Sequence, residues 1–239
     1  MSLPEVTTRE KWLAARKELL TREKAITRQR DALNADRRRL PMVEIDKDYV
    51  FEGPSGTAGL ADLFGDSRQL IIQHIMFGPD WDAACPGCTA FLDELAPAAL
   101  GHIRSRDTAF AGVSRAPLAK IAAYKASRGW QFDWYSSYGS DFNYDFQVTV
   151  DSAVAPPVYN YEPQAGKAEP IEGEMPGFSC FLKDGDRVYH TYSTFARGTD
   201  QLGSSYSLLD LTAFGRSELW EEPKGRAATL HGADPTFSD

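Results

Sequence analysis

The sequence predicts an α/β domain with a helical arm in front of it, and three observations carry that expectation. Continuous apolar stretches, "RQLIIQHIMF" and "DTAFAGVS", alternate with helix-like segments. This βαβα order makes a parallel strand pair with a right-handed crossover. Further on, "GFSCFLK" and "DRVYHTYS" flank Asp184 and Gly185, whose positive φ angles suit the tight turn of a hairpin. Finally, residues 8–38 contain neither Gly nor Pro. With 239 residues, 42% hydrophobic and 25% charged, the chain has the composition of an ordinary folded protein. The expected organisation is an arm over 1–39, one domain over 40–222 and a loose tail over 223–239.

In the arm, Trp12, Leu19, Ile26 and Leu33 recur every seven positions, with Leu13 and Leu20 beside the first two. That is one narrow apolar stripe on a long helix. Its complementary positions carry Arg22 and Gln29, so the helix is expected to lie against its own body or a partner subunit, in a homodimer whose arms cross over. After Pro41, "DYVFEGPSG" reads as strand and turn, and "LADLFG" as a helical turn ended by Gly65. "RQLIIQHIMF" is a buried strand, and "GPDWDAA" with Trp81 is a loop. A helix follows over residues 85–103 with a kink at Pro97, then the strand "DTAFAGVS", then a helix from Pro117 to Arg128 closed by Gly129. Five prolines from Pro156 to Pro176 mark an insertion too proline-rich for a central strand. After the hairpin comes a helix around Thr199 to Asp210.

Charge and leader signals exclude several functions. Between Arg9 and Arg39 eleven Lys/Arg face five Asp/Glu, while from Leu40 onward fifteen face twenty-eight. An acidic body behind a mixed-charge arm is not expected to bind nucleic acid. No run of about eighteen apolar residues exists to span a membrane, and the N-terminus lacks the apolar core of a secretory leader. The protein is therefore expected in the cytoplasm, where three cysteines do not make a disulfide scaffold.

Attention then falls on "ACPGCTA". Cys85 and Cys88 are a redox pair, two ligands of a metal, or packing. If a helix begins at Pro86, then Cys85 is its N-cap, Pro86 its first residue and Cys88 its third. The Cys85 sulfur then faces the free amides of Gly87 and Cys88 at the positive end of the helix dipole, which favours thiolate. Cys85 is the expected nucleophile and Cys88 the resolving thiol. The preceding strand delivers the pair at its C-terminal end, and the neighbouring strand ends at Arg115, placed to stabilise the thiolate. Asp80 and Asp82 act in the opposite sense if they point inward. A metal site needs two more ligands, for which His74, Cys180 and His190 are the candidates; there is no second C-x-x-C, and a proline inside the pair suits a redox helix better than a zinc knuckle, so no metal and no cofactor is expected.

Strand, aromatic-containing loop, C-x-x-C opening a helix, a parallel βα unit, then "EMPGFSCFLKDGDRV" together resemble the thioredoxin fold. The resemblance implies that Pro176 introduces the antiparallel strand with a cis peptide bond and faces the two cysteines. At finer grain "MVEIDKDYVFEGPSG", "FGPDWDAACPGC", "VSRAP", "SSYGSDFNYDF" and "HTYSTFARG" resemble the bacterial thioredoxin-like family DUF899, sometimes labelled predicted dithiol-disulfide oxidoreductases. This similarity spans roughly residues 40–215. It implies thiol-disulfide exchange with a disulfide or thiol substrate, protein or small molecule. Two other readings stand beside it: a thioredoxin-like binding module without redox turnover, and a thiol peroxidase, although no Thr lies between Pro79 and Cys85.

Other motifs read more plainly. Cys180, on one strand face with Phe178 and Leu182, is a buried small hydrophobe, and His74 a core histidine. Eight aromatics crowd residues 130–146, as a core or interface face, or as a wall over the thiols. Asp141, Asn143 and Asp145 have calcium-loop spacing, but Phe146 stands where that loop needs Gly.

Overall fold

The computed structural model describes residues 3–216 and 218–225, so most of the expected tail, from residue 226 on, lies outside the described residues. The chain divides into two compact units, one formed by the residues up to Pro41 with the segment beginning at Ser207, the other by Met42–Tyr206. In the first, α1 (Arg9–Arg37) starts at Thr8, whose side-chain oxygen accepts a hydrogen bond from the Lys11 amide. It has no buried residue, and Trp12, Leu19, Ile26 and Leu33 are all exposed.

The second unit is built on an α/β sheet. Its strands are β1 (Val43–Glu44), β2 (Val50–Gly53), β3 (Gly56–Gly59), β4 (Gln69–His74), β5 (Thr108–Ser114) and β6 (Asp133–Ser136). They continue with the short β7 (Thr149–Val150), β8 (Val158–Tyr159), β9 (Glu162–Pro163) and β10 (Gly173–Glu174), and end with the long β11 (Gly177–Asp184) and β12 (Arg187–Phe195). The main sheet runs β1-β12-β11-β4-β5-β6-β2-β3, while β10 pairs with β7 and β8 with β9 in two small ribbons. β4, β5 and β6 are parallel, and β11 is antiparallel to β4. The run β5-β4-β11-β12, with crossover helices between β4 and β5, is the thioredoxin-like arrangement.

Between β4 and β5 lie α2 (Pro86–Asp93) and α3 (Pro97–Arg104). The expected kink at Pro97 is a break: proline lacks an amide, so it opens a new helix at the first position rather than bending an old one. α4 (Leu118–Arg128) follows β5 and stops at Gly129 in the left-handed conformation, φ 69°. After the helical turn α5 (Phe142–Asp145) and the strand β12, the segment expected as one helix is a 3-10 turn over Ala196–Leu202 and α6 (Ser204–Leu209), parted at Gly203. The hairpin between β11 and β12 has Gly185 and Asp186 as its loop, one residue later than expected, and of the two only Gly185 has positive φ. A leading glycine suits a tight two-residue hairpin.

Because side chains alternate across a strand, the sheet has two cores. Leu70, Ile72, Val113, Phe51, Phe142 and Phe181 fill one face. Ile75, Phe77, Cys88, Leu92, Ile121, Trp130, Phe132 and Trp134 fill the other, under α2 and α4. Most of the aromatic segment is thus core, which leaves Tyr138 as its exposed member.

Candidate functional site

The cysteine pair sits where β4 hands over to α2. Two backbone bonds pin the intervening loop: Cys85 donates its amide to the Met76 carbonyl at 2.8 Å, and Ala116 donates to that of Phe77 at 2.8 Å. Lys120 Nζ adds bonds of 2.9 Å to the carbonyls of Pro79 and Trp81. Ser114 Oγ donates to the Ile75 carbonyl at 2.7 Å and accepts from the Trp134 indole at 2.9 Å. A loop that alternative backbone conformations would otherwise blur is held from the second βα unit, so the thiols have a fixed mount.

Cys85 is the N-cap of α2, Pro86 its first residue, and Cys88 lies within the first turn. The Cys85 side chain makes no capping hydrogen bond to the helix amides, so the bonds expected from Gly87 and Cys88 are not formed. Cys88, buried at 6% exposure, hydrogen-bonds to Cys85, and this bond together with burial drives its pKa well above the usual thiol range. The Met76 amide works weakly against that rise. Cys88 is therefore a thiol that stays protonated. Both are free thiols, Cys85 half-buried and Cys88 buried.

A cavity of about 370 Å³ opens beside them. Its walls include Cys85, Gly87 and Cys88, then Phe91 of α2 and Glu94 at its C-cap, Gln73 of β4, Pro176 and Phe178, and the segment from Ala196 to Tyr206. Phe91 and Phe178 meet edge to face at 5.2 Å. No aromatic of residues 130–146 lines it. Glu94 ties the last wall down: its carboxylate accepts from the Ser204 amide at 2.6 Å and from the Ser205 amide at 3.1 Å, and from both hydroxyls. Glu94→Ala should cost about 1 kcal/mol, as loss of a cap does. Hydrogen exchange of residues 196–206 should rise while that of β4 and β5 stays unchanged.

The other expected site residues are placed as follows. Pro176 lines the cavity, but the Met175-Pro176 bond is trans; among the described residues the cis bond is Glu222-Pro223. The chain enters Pro176 extended, with β10 laddered on β7 and the Met175 amide bonded to the Val148 carbonyl at 2.8 Å, a path that the default trans geometry satisfies. Arg115 does not line the cavity; its guanidinium pairs with the buried Glu174 at 3.0 Å and lies over the Tyr144 ring at 5.0 Å. A carboxylate buried that deeply needs a cation, and burial already raises its pKa. Trp81 is exposed and packs its indole over Gly78, away from the cavity; Asp80 and Asp82 are exposed too and do not line it.

Cys180 stands on the cavity side of the sheet outside its lining, and burial pushes its thiol up to about 11. His74 also lines the cavity, and with His190 it belongs to a hydrogen-bonded chain: His74 Nε2 to Ser179 Oγ, Ser179 Oγ to Ser193 Oγ, and Ser193 Oγ to His190 Nε2, each 2.7 Å. Among the described residues no three of His, Cys, Asp and Glu converge as metal ligands, and no helix is long and apolar enough to cross a membrane. Gln73 and Glu94 were missed by the sequence reading. A polar residue inside the apolar run "LIIQHI" was the available signal for the first.

Fold and site define a thioredoxin-like α/β domain with two free thiols at the start of its first crossover helix. The chain belongs to the bacterial protein family of unknown function DUF899, whose model matches residues 1–231. No curated protein matches it. Among solved structures it is similar to Xanthomonas campestris peroxiredoxin Q, with 15% identity, 64% of this chain and 85% of that one covered, and a TM-score of 0.43. Peroxidoxin BcpB from Mycobacterium tuberculosis is 17% identical over 68% of this chain and 92% of that one, at a TM-score of 0.41. Reduced 2-Cys peroxiredoxin of Plasmodium vivax is 12% identical, covering 66% and 83%, at 0.41.

Proposed function

We propose that the protein is a thiol-disulfide oxidoreductase in which Cys85 attacks and Cys88 resolves. The placement of the two cysteines carries this reading: both stand at the start of α2 and line one cavity, Cys85 half-buried and Cys88 buried behind it. The Cys85 thiolate attacks one sulfur of a substrate disulfide, and the substrate S–S bond breaks. The departing thiolate takes up a proton. Cys88 then gives up its proton and attacks the Cys85 sulfur, which expels the second substrate thiol and leaves a Cys85–Cys88 disulfide. Two substrate thiols are formed and the protein dithiol is oxidised; an external thiol reductant, such as the cytoplasmic thiol pool, returns it.

The test uses the full chain, reduced, with 2,2′-dithiodipyridine in excess. Two equivalents of thiopyridone per chain should appear in the fast phase, ahead of the slower Cys180, and peptide mass analysis should find Cys85 joined to Cys88. A chain that releases thiopyridone while Cys85 and Cys88 remain unjoined would favour a binding module of the same fold.

A further inference from the structure

We propose that Gln73 recognises the substrate, and that the dithiol cavity takes a low-molecular-weight disulfide bearing an amide N–H close to its S–S bond. The inference rests on the exchange reading above. Gln73 is 3% exposed, and its Oε1 is buried with no hydrogen-bond partner. An acceptor left bare in this way is costly, and native chains rarely keep one without a use for it.

Its direction follows from strand register. Gln73 stands directly opposite Phe178 on β11, so the two side chains leave the same face of the sheet. The Phe178 ring meets Phe91 of α2, and both residues line the cavity with Cys85 and Cys88. The side chain therefore leaves the sheet on the side of the thiols, and Gln73 is part of the cavity wall. What it lacks is a donor.

Two features favour a small molecule over a polypeptide. An extended peptide binds by laddering onto free backbone, but the backbone around Pro176 is engaged: β10 with β7, the Met175 amide with Val148, and Gly177 with both His74 and Phe195. The cavity is also a concave space of about 370 Å³, within the range of small-ligand sites. Seated there, one half of the disulfide packs on Phe91 and Phe178 while its N–H donates to Gln73 Oε1. Exchange then proceeds with the electron balance given above, and the substrate leaves as two thiols.

The probes are N,N′-diacetylcystamine and its N,N′-dimethyl analogue, which has the same S–S bond and no N–H. Oxidation of the reduced full chain is followed by stopped-flow thiol loss. Wild type should react at least about tenfold faster with the first, the worth of one hydrogen bond that fills an otherwise unpaired acceptor. Gln73→Leu should bring the two rates within about twofold of each other, leave the reaction of Cys85 with methyl methanethiolsulfonate, which has no N–H, unchanged and not lower the melting temperature. Gln73→Met, unbranched and closer in shape, serves if the leucine variant fails to fold. Equal rates in wild type, a preference that survives in the variants, or insulin reduced faster than either probe would overturn the assignment. Failure of 2,2′-dithiodipyridine to join Cys85 and Cys88 removes the exchange reading, and this one with it; success there with equal probe rates removes this one alone.

Discussion

Reduced protein treated with iodoacetamide at pH 6 should be alkylated at Cys85 at least about a hundredfold faster than at Cys88 or Cys180, because only thiolate reacts. Cys88 is held protonated by its bond to Cys85 and by burial, and Cys180 by burial alone. Site-resolved mass spectrometry reads the three rates. In Cys88→Ser the attack on a disulfide should still occur but stop at the mixed disulfide, since no thiol remains to expel the second half. Cys85→Ser should form no adduct at all. Alkylation of Cys88 ahead of Cys85 would reverse the two roles.

Acid should weaken the fold through His74. Burial lowers its pKa to about 3, with the His190 charge acting in the same sense. In the unfolded chain the ring takes a proton near pH 6.5. Stability from keeping it neutral is complete above about pH 6.5 and is lost as pH falls toward 3, because the unfolded state then binds a proton that the native state refuses. Between pH 7 and 4.5 this amounts to roughly 2–3 kcal/mol. His190, also lowered by burial, adds to the loss, while Glu174, raised by burial, opposes it at the acid end. Urea unfolding across this range should show the slope, and His74→Gln, which does not titrate, should flatten it. An unchanged slope would mean that the ring takes up its proton alike in the native and unfolded states.

Much of this molecule is written locally. The helix start at Cys85-Pro86 is legible because proline at the first position and a small N-cap are decided within a turn, and the apolar runs that become β4 and β5 need no knowledge of their partners. What depends on distant residues was hidden. Arg115 is drawn to Glu174, 59 positions away, a partner that only the fold brings near. The geometry at Pro176 is set by the ladder between β7 and β10, two-residue strands whose pairing no periodicity announces. Gln73 read as part of an apolar run because its surroundings come from β11 and α2.

The wall formed by Ala196 to Tyr206 has a consequence for synthesis. About a hundred residues separate it from Cys88, and β11, the neighbour of β4, also comes late. At about 5–20 residues per second the ribosome needs roughly 5–20 s to supply that stretch. Throughout this interval the nascent chain carries both thiols on a half-built sheet, open to any oxidant it meets. The cavity beside the thiols is thus completed after the thiols themselves are made, as the last strands and the final wall arrive.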